Sequence, residues 1–251
     1  MLSINYLNPL PFSPEHVFHK TYYSQILDHE IGYYIYLPPD YEETDHRYPV
    51  FYHLHGWTGN ESSDVLIMEK CYRHQQTIFV FPNNSPVLET REHLPIEDVI
   101  IQELIPHIDD TYRTFPTREN RFISGFSMGG GMAFYYAVKY PTIFSAVTAY
   151  AGTYHHYYHK DYLTVGTPFE KAPELYQTMI REKKYFEKSI IQLLNNQAAA
   201  IRNHLKIILH IGTKDVLFCD NEILRLHLEA LCIPHEYKII PGAAHSLSDI
   251  L

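Results

Sequence analysis

A chain of 251 residues and 29.5 kDa, 45% hydrophobic and 20% charged, is long enough to bury the core of one large domain. Its formal net charge of -9 supplies no basic footprint for nucleic acid or for an anionic membrane, which leaves a small molecule as the expected partner. Cys71, Cys219 and Cys232 form neither a C-x-x-C pair nor an even framework, and no signal-peptide pattern or stretch of transmembrane length is present. The expected setting is therefore the reducing cytoplasm.

In chain order, the segment from Val17 to Leu37 reads as two strands closed by Pro38-Pro39-Asp40. Tyr48 to His55 is a nearly continuous apolar and aromatic run, as a parallel strand buried on both faces requires, and it ends in the glycine-punctuated loop Gly56-Trp57-Thr58-Gly59. Thr77 to Pro82 is the next strand. Ile96 to Ile108 follows as an amphipathic helix with Val99, Ile100, Leu104, Ile105 and Ile108 on its apolar face. Arg121 to Phe126 is a further strand running into Gly125-Phe126-Ser127-Met128-Gly129 and then a helical run from Met132.

Beyond it, Ala146 to Tyr150 is a strand, and Tyr154-His155-His156-Tyr157-Tyr158-His159 is a polar aromatic segment. Residues from about Pro168 to Ala200 are charged and helical in composition and interrupt the alternation of strands and helices, which predicts a cap insertion at about 154–200. The alternation resumes with a strand from Lys206 to Ile211, a helix from Asn221 to Leu231 and a strand from Glu236 to Ile240, which leads to Pro241-Gly242-Ala243-Ala244-His245. Strands alternating with helices predict an α/β fold, a doubly wound and mostly parallel sheet, in a single domain over 1–251.

The strand, the G-x-S-x-G turn and the helix make Ser127 the candidate nucleophile, since a nucleophile elbow needs a tight strand-to-helix turn with glycines where backbones meet. A serine hydroxyl needs an imidazole to take its proton and a carboxylate to orient that imidazole. Among 17 histidines, His245 stands out in a Gly/Ala-rich loop after the last strand, and Asp215 follows the preceding strand in Gly212-Thr213-Lys214-Asp215. The order Ser127, Asp215, His245 is that of an α/β hydrolase. Asp220 is the second candidate acid, better placed to cap the helix that starts near Asn221. The backbone N–H groups of Met128 and Trp57 are the expected oxyanion hole, and Trp57, Tyr154 and His155 the expected substrate-binding residues. His155, His156 and His159 lack the carboxylate or cysteine partners of a metal site, so neither metal nor cofactor is expected.

Several separated motifs agree in order with one family. Tyr34 to Tyr41, Leu54-His55-Gly56, Glu97 to Ile100, Tyr112-Arg113-Thr114, Gly125 to Gly130, Gly212 to Asp215 and Pro234 through Gly242 to His245 give the chain a resemblance to an esterase family of the α/β hydrolases. That family takes in feruloyl and acetylxylan esterases, S-formylglutathione hydrolases, siderophore esterases and mycolyltransferases. The resemblance covers about residues 20–247 and misses mainly the cap. It implies the roles above for Ser127, Asp215, His245, Met128 and Trp57. Two departures bear on substrate recognition: Leu247 stands where many relatives have a tryptophan, and Asn83-Asn84-Ser85-Pro86 replaces a longer aromatic loop. The expected activity is hydrolysis of short-chain carboxylic esters through an acyl-enzyme. Acyl transfer, thioester hydrolysis and a non-catalytic binding role on the same fold are the alternatives, and the composition leaves a homo-oligomer open.

Overall fold

Aromatic and β-branched residues build the first hairpin, and Ile31 to Tyr36 of its second strand are all buried. In the computed structural model, which describes residues 5–85, 95–154, 166–183 and 189–251, β1 (Val17–Ser24) pairs antiparallel with β2 (His29–Tyr36), Val17 opposite Tyr36 and Ser24 opposite His29. The chain divides into two compact units, Met1–Phe122 and Ile123–Leu251.

In the first unit, β3 (Val50–Leu54) lies parallel to β4 (Ile78–Pro82), and β4 lies antiparallel to β2, so the strand order is β1-β2-β4-β3. Every residue of β4 is buried, as its unbroken apolar run requires. Helix α1 is short (Glu69–Tyr72). The amphipathic segment forms α2 (Pro95–Asp98), a π-helical stretch (Val99–Leu104) and α3 (Ile105–Thr111). All five residues expected on its apolar face are buried. Val99 and Leu104, like Ile100 and Ile105, stand five apart, and the wider π turn keeps such pairs on one face.

Strand β5 (Arg121–Phe126) leads into the second unit, where α4 (Met128–Lys139) and β6 (Ala146–Tyr150) follow. A 3₁₀ turn (Phe169–Lys171) precedes α5 (Ala172–Glu182), and α6 (Ile190–Ile201) precedes β7 (Lys206–Gly212). The unit closes with α7 (Phe218–Ala230), β8 (Glu236–Ile240) and α8 (Leu247–Ile250). Its strand order is β5-β6-β7-β8, with β6, β7 and β8 parallel: Ala146 faces Lys206, and Ile208 faces Glu236. The expected α/β, mostly parallel architecture is therefore present.

Part of the segment at 154–200 lies outside the described residues. Within the described part, α5 packs on α7 through buried Ala172, Tyr176 and Met179, while Glu174, Arg181, Glu182 and Lys183 face solvent. Helix α6 packs on α4 and returns the chain from β6 to parallel β7, the position of an ordinary crossover helix. From Ile190 onward the strand–helix alternation is thus intact. Among the described residues no helix is long and apolar enough to cross a membrane.

Candidate active site

Parallel strands collect functional loops at their C-terminal ends. In the second unit Ser127 follows β5, Gly152–Tyr154 follow β6, Asp215 follows β7 and His245 follows β8. The turn at Ser127 is tight: its φ is 55° and ψ -117°, in the left-handed half of the map that side chains rarely occupy. A Cβ on Gly125 would collide with the backbone carbonyl of Gly129, which explains the glycine spacing of the motif.

The loops after β7 and β8 are knitted to each other. Thr213 N–H donates to the Ile240 carbonyl (3.0 Å), Lys214 N–H to the Ala243 carbonyl (2.9 Å) and Gly242 N–H to Thr213 Oγ1 (2.8 Å). This brings the imidazole of His245 to the carboxylate of Asp215, with Nδ1 2.8 Å from Oδ2 and 3.0 Å from Oδ1. His245 Nε2 stands 2.8 Å from Ser127 Oγ. One tautomer satisfies every contact: Nδ1–H donates to Asp215, and Nε2 accepts the Ser127 hydroxyl proton.

Asp215 is buried and also accepts the Leu217 N–H at 2.8 Å, so its carboxylate is held from two directions. The His245 ring is partly open to solvent, with its side chain 30% exposed. Phe126 covers one face of that ring at a centroid distance of 4.8 Å and an interplanar angle of 31°. Met128 opens α4, so its N–H has no intrahelical acceptor and points where the helix dipole favours negative charge.

The remaining candidates behave differently. Trp57, on the loop after β3 in the first unit, is 58% exposed. That loop is pinned through His55, whose N–H donates to Asn84 Oδ1 (2.8 Å), whose Nε2 accepts the Asn84 N–H (3.1 Å) and whose Nδ1–H donates to the Gly56 carbonyl (2.8 Å). Burial lowers the His55 pKa, which suits this neutral, structural tautomer. Tyr154 is fully buried, its ring edge-on to Phe134, so its side chain is enclosed by protein. His155 lies outside the described residues.

Asp220 is not a helix cap. Helix α7 begins at Phe218, with Leu217 in the cap position, and the buried Asp220 carboxylate accepts the backbone N–H of Tyr154 at 2.5 Å. The carboxylate finds its partner across the fold, where no local pattern shows it. Asn221, which donates to the Gly152 carbonyl, and Phe126, on the His245 ring, carry no sequence signal for these contacts beyond their neighbourhood. Among the described residues no cluster of His, Cys, Asp and Glu suits a metal ion.

Known proteins resemble this chain in sequence and in fold. Esterase Rv1288 of Mycobacterium tuberculosis (strain ATCC 25618 / H37Rv) is 30% identical over 126 residues, covering 46% of this chain. The match takes in only 28% of that curated relative's length. Among solved structures, FphF, a fluorophosphonate-binding serine hydrolase of Staphylococcus aureus, superposes with a TM-score of 0.75 at 18% identity, covering 93% of this chain and 92% of that one. A ferulic acid esterase gives 0.71 at 21% identity, with 93% and 92% covered. The S-formylglutathione hydrolase FrmB of Staphylococcus aureus gives 0.71 at 18% identity, with 92% of each covered. Identities this low speak for the fold alone, that of the α/β-hydrolase esterases. The family described as "Putative esterase" matches residues 24–235, most of the chain, and the chain belongs to that family.

Proposed function

We propose that the protein is a serine carboxylic ester hydrolase in which Ser127 is the nucleophile, His245 the general base and then acid, and Asp215 the group that orients and stabilises the imidazolium. The observation that carries this reading is the unbroken relay from Asp215 through His245 to Ser127 Oγ, with 2.8 Å at both junctions. Ser127 Oγ attacks the ester carbonyl as His245 Nε2 takes its proton, and the same proton passes to the departing alkoxide. A water molecule, deprotonated by His245, then releases the acid and restores the serine. The Met128 N–H, at the start of α4, stabilises the oxyanion in both steps.

We further propose short acyl groups as substrates. A thioester is the second reading, favoured by the likeness to a protein named S-formylglutathione hydrolase. The relay would serve it unchanged, because only the leaving atom differs. Turnover of p-nitrophenyl acetate by wild type and Ser127→Ala tests the first reading. Loss of several powers of ten is expected in the variant, and turnover near the wild-type rate would refute it. Parallel kcat/KM values for an oxygen ester and a thioester of one acyl group decide between the two leaving atoms.

A further inference from the structure

Ser127 is held in its strained conformation by its neighbours. Its N–H donates to the Tyr150 carbonyl (2.9 Å), and its carbonyl accepts from the N–H groups of Thr153 (3.0 Å) and Gly131 (3.0 Å). Two of these three bonds come from the end of β6 and the loop after it. That loop is strained as well. Ala151 has φ 46°, and a Cβ on Gly152 would meet the phenol of Tyr154. A loop that must impose strain on another residue needs anchors of its own.

One anchor is the Ala151 N–H, which donates to the His210 carbonyl of β7 (2.8 Å). The others are two consecutive side chains of α7. Asp220 Oδ2 accepts the Tyr154 N–H at 2.5 Å, a charge-assisted bond. Asn221 Nδ2 donates to the Gly152 carbonyl and to the Leu217 carbonyl, both at 2.9 Å. Both residues are buried, at 3% and 0% exposure. Just before the same helix, the Leu217 N–H holds Asp215 Oδ1. One element thus fixes the orienting carboxylate from its leading end and the nucleophile's supporting loop from its first turn.

We infer that Asp220 and Asn221 are positioning residues for Ser127: they lock residues 152–154 in the shape that keeps the elbow strained and Oγ within 2.8 Å of His245. The inference rests on the reading of Ser127 as nucleophile. Without the lock the loop shifts, the elbow relaxes toward ordinary backbone angles and Oγ leaves its line to the imidazole. Misplacement of a reacting atom by about 1 Å costs on the order of 10²-fold in rate. Contacts that bind substrate elsewhere are untouched, so kcat falls and KM does not.

Steady-state kinetics on p-nitrophenyl acetate, expressed per folded molecule, test this with five variants. Asp220→Ala removes the acceptor, and Asn221→Asp replaces the donor with a carboxylate facing two carbonyls. Each is expected to lower kcat about 10- to 100-fold with KM within about twofold. Asp220→Asn keeps an acceptor oxygen in place and is expected to retain kcat within about fivefold. Leu224→Ala, a buried truncation on the same helix that leaves both polar side chains in place, is expected to lower Tm while keeping kcat. Should Asp220→Ala give no folded protein, Asp220→Ser, whose hydroxyl is too short to reach the Tyr154 amide, carries the same expectation.

Wild-type kcat in the folded Asp220 and Asn221 variants, or a loss in Leu224→Ala equal to theirs, overturns the inference. Ser127→Ala, assayed alongside, separates the two claims. Retained turnover there would refute the nucleophile itself. Abolished turnover there, with the Asp220 and Asn221 variants unimpaired, would refute only the lock.

Discussion

Ser127 occupies a backbone conformation that costs about 1–3 kcal/mol, and the glycines around it exist to make that conformation reachable. Gly125 is the clearest case, because its missing Cβ would occupy the space of the Gly129 carbonyl, a backbone atom with no rotamer to yield. Gly125→Ala is expected to lower Tm by several degrees, at 2–4 °C for each ~1 kcal/mol in a chain of about this size. A thermal melt unchanged from wild type would show that the elbow has slack. At the acid, Asp215→Asn should cost roughly 10⁴-fold in kcat, as when a histidine is left in the wrong tautomer. Asp220→Asn should do far less, and a reversal of the two in steady-state assays would reassign the orienting carboxylate. Ser127, Asp215 and His245 are legible in the sequence because each lies in the loop that leaves a recognisable strand, and their order along the chain is itself a constraint. Asp220 is not, because α7 begins at Phe218, ahead of its apolar pattern, and the carboxylate's partner is the Tyr154 amide on a distant loop.

At the scale of elements, strands were the easier reading. The apolar runs at β3 and β4 match the sequence expectation closely, since a strand buried on both faces needs only continuity, and β8 matches it as an edge strand with no buried residue. Helices were less legible where tertiary packing sets the register. The π stretch at Val99–Leu104 answers a five-residue spacing, and α6 fills the crossover between β6 and β7 although its surroundings in sequence are charged. Ile190, Ile191, Leu194 and Ile201 are all fully buried on α6. Leu194→Ala is therefore expected to destabilise the fold by about 2–5 kcal/mol, whereas Glu174→Ala on the exposed face of α5 should stay within about 0.5 kcal/mol. Denaturant titrations of the two variants check this, and equal midpoints would mean that α6 is not part of the core.

For the whole molecule, acid stability has an identifiable contributor in His227. Its Nδ1 is 3.1 Å from the Tyr176 hydroxyl and its Nε2 3.1 Å from Asn195 Oδ1, so the neutral ring ties α5, α6 and α7 together. Burial lowers its pKa from 6.5 to about 4. The unfolded chain binds this proton more readily, so the contribution is present above about pH 6.5 and is lost as pH falls toward 4. It amounts to about 3 kcal/mol at most. His227→Gln should flatten the fall of Tm between those pH values relative to wild type, and parallel curves would remove His227 from the account. The catalytic claim is most directly tested by acid-quenching the enzyme during turnover of p-nitrophenyl acetate and mapping its peptides by mass spectrometry. An acetyl group on Ser127, absent in Ser127→Ala, is the predicted result. Turnover with acetyl on another residue, or with a fluorophosphonate label that bypasses Ser127, would contradict it.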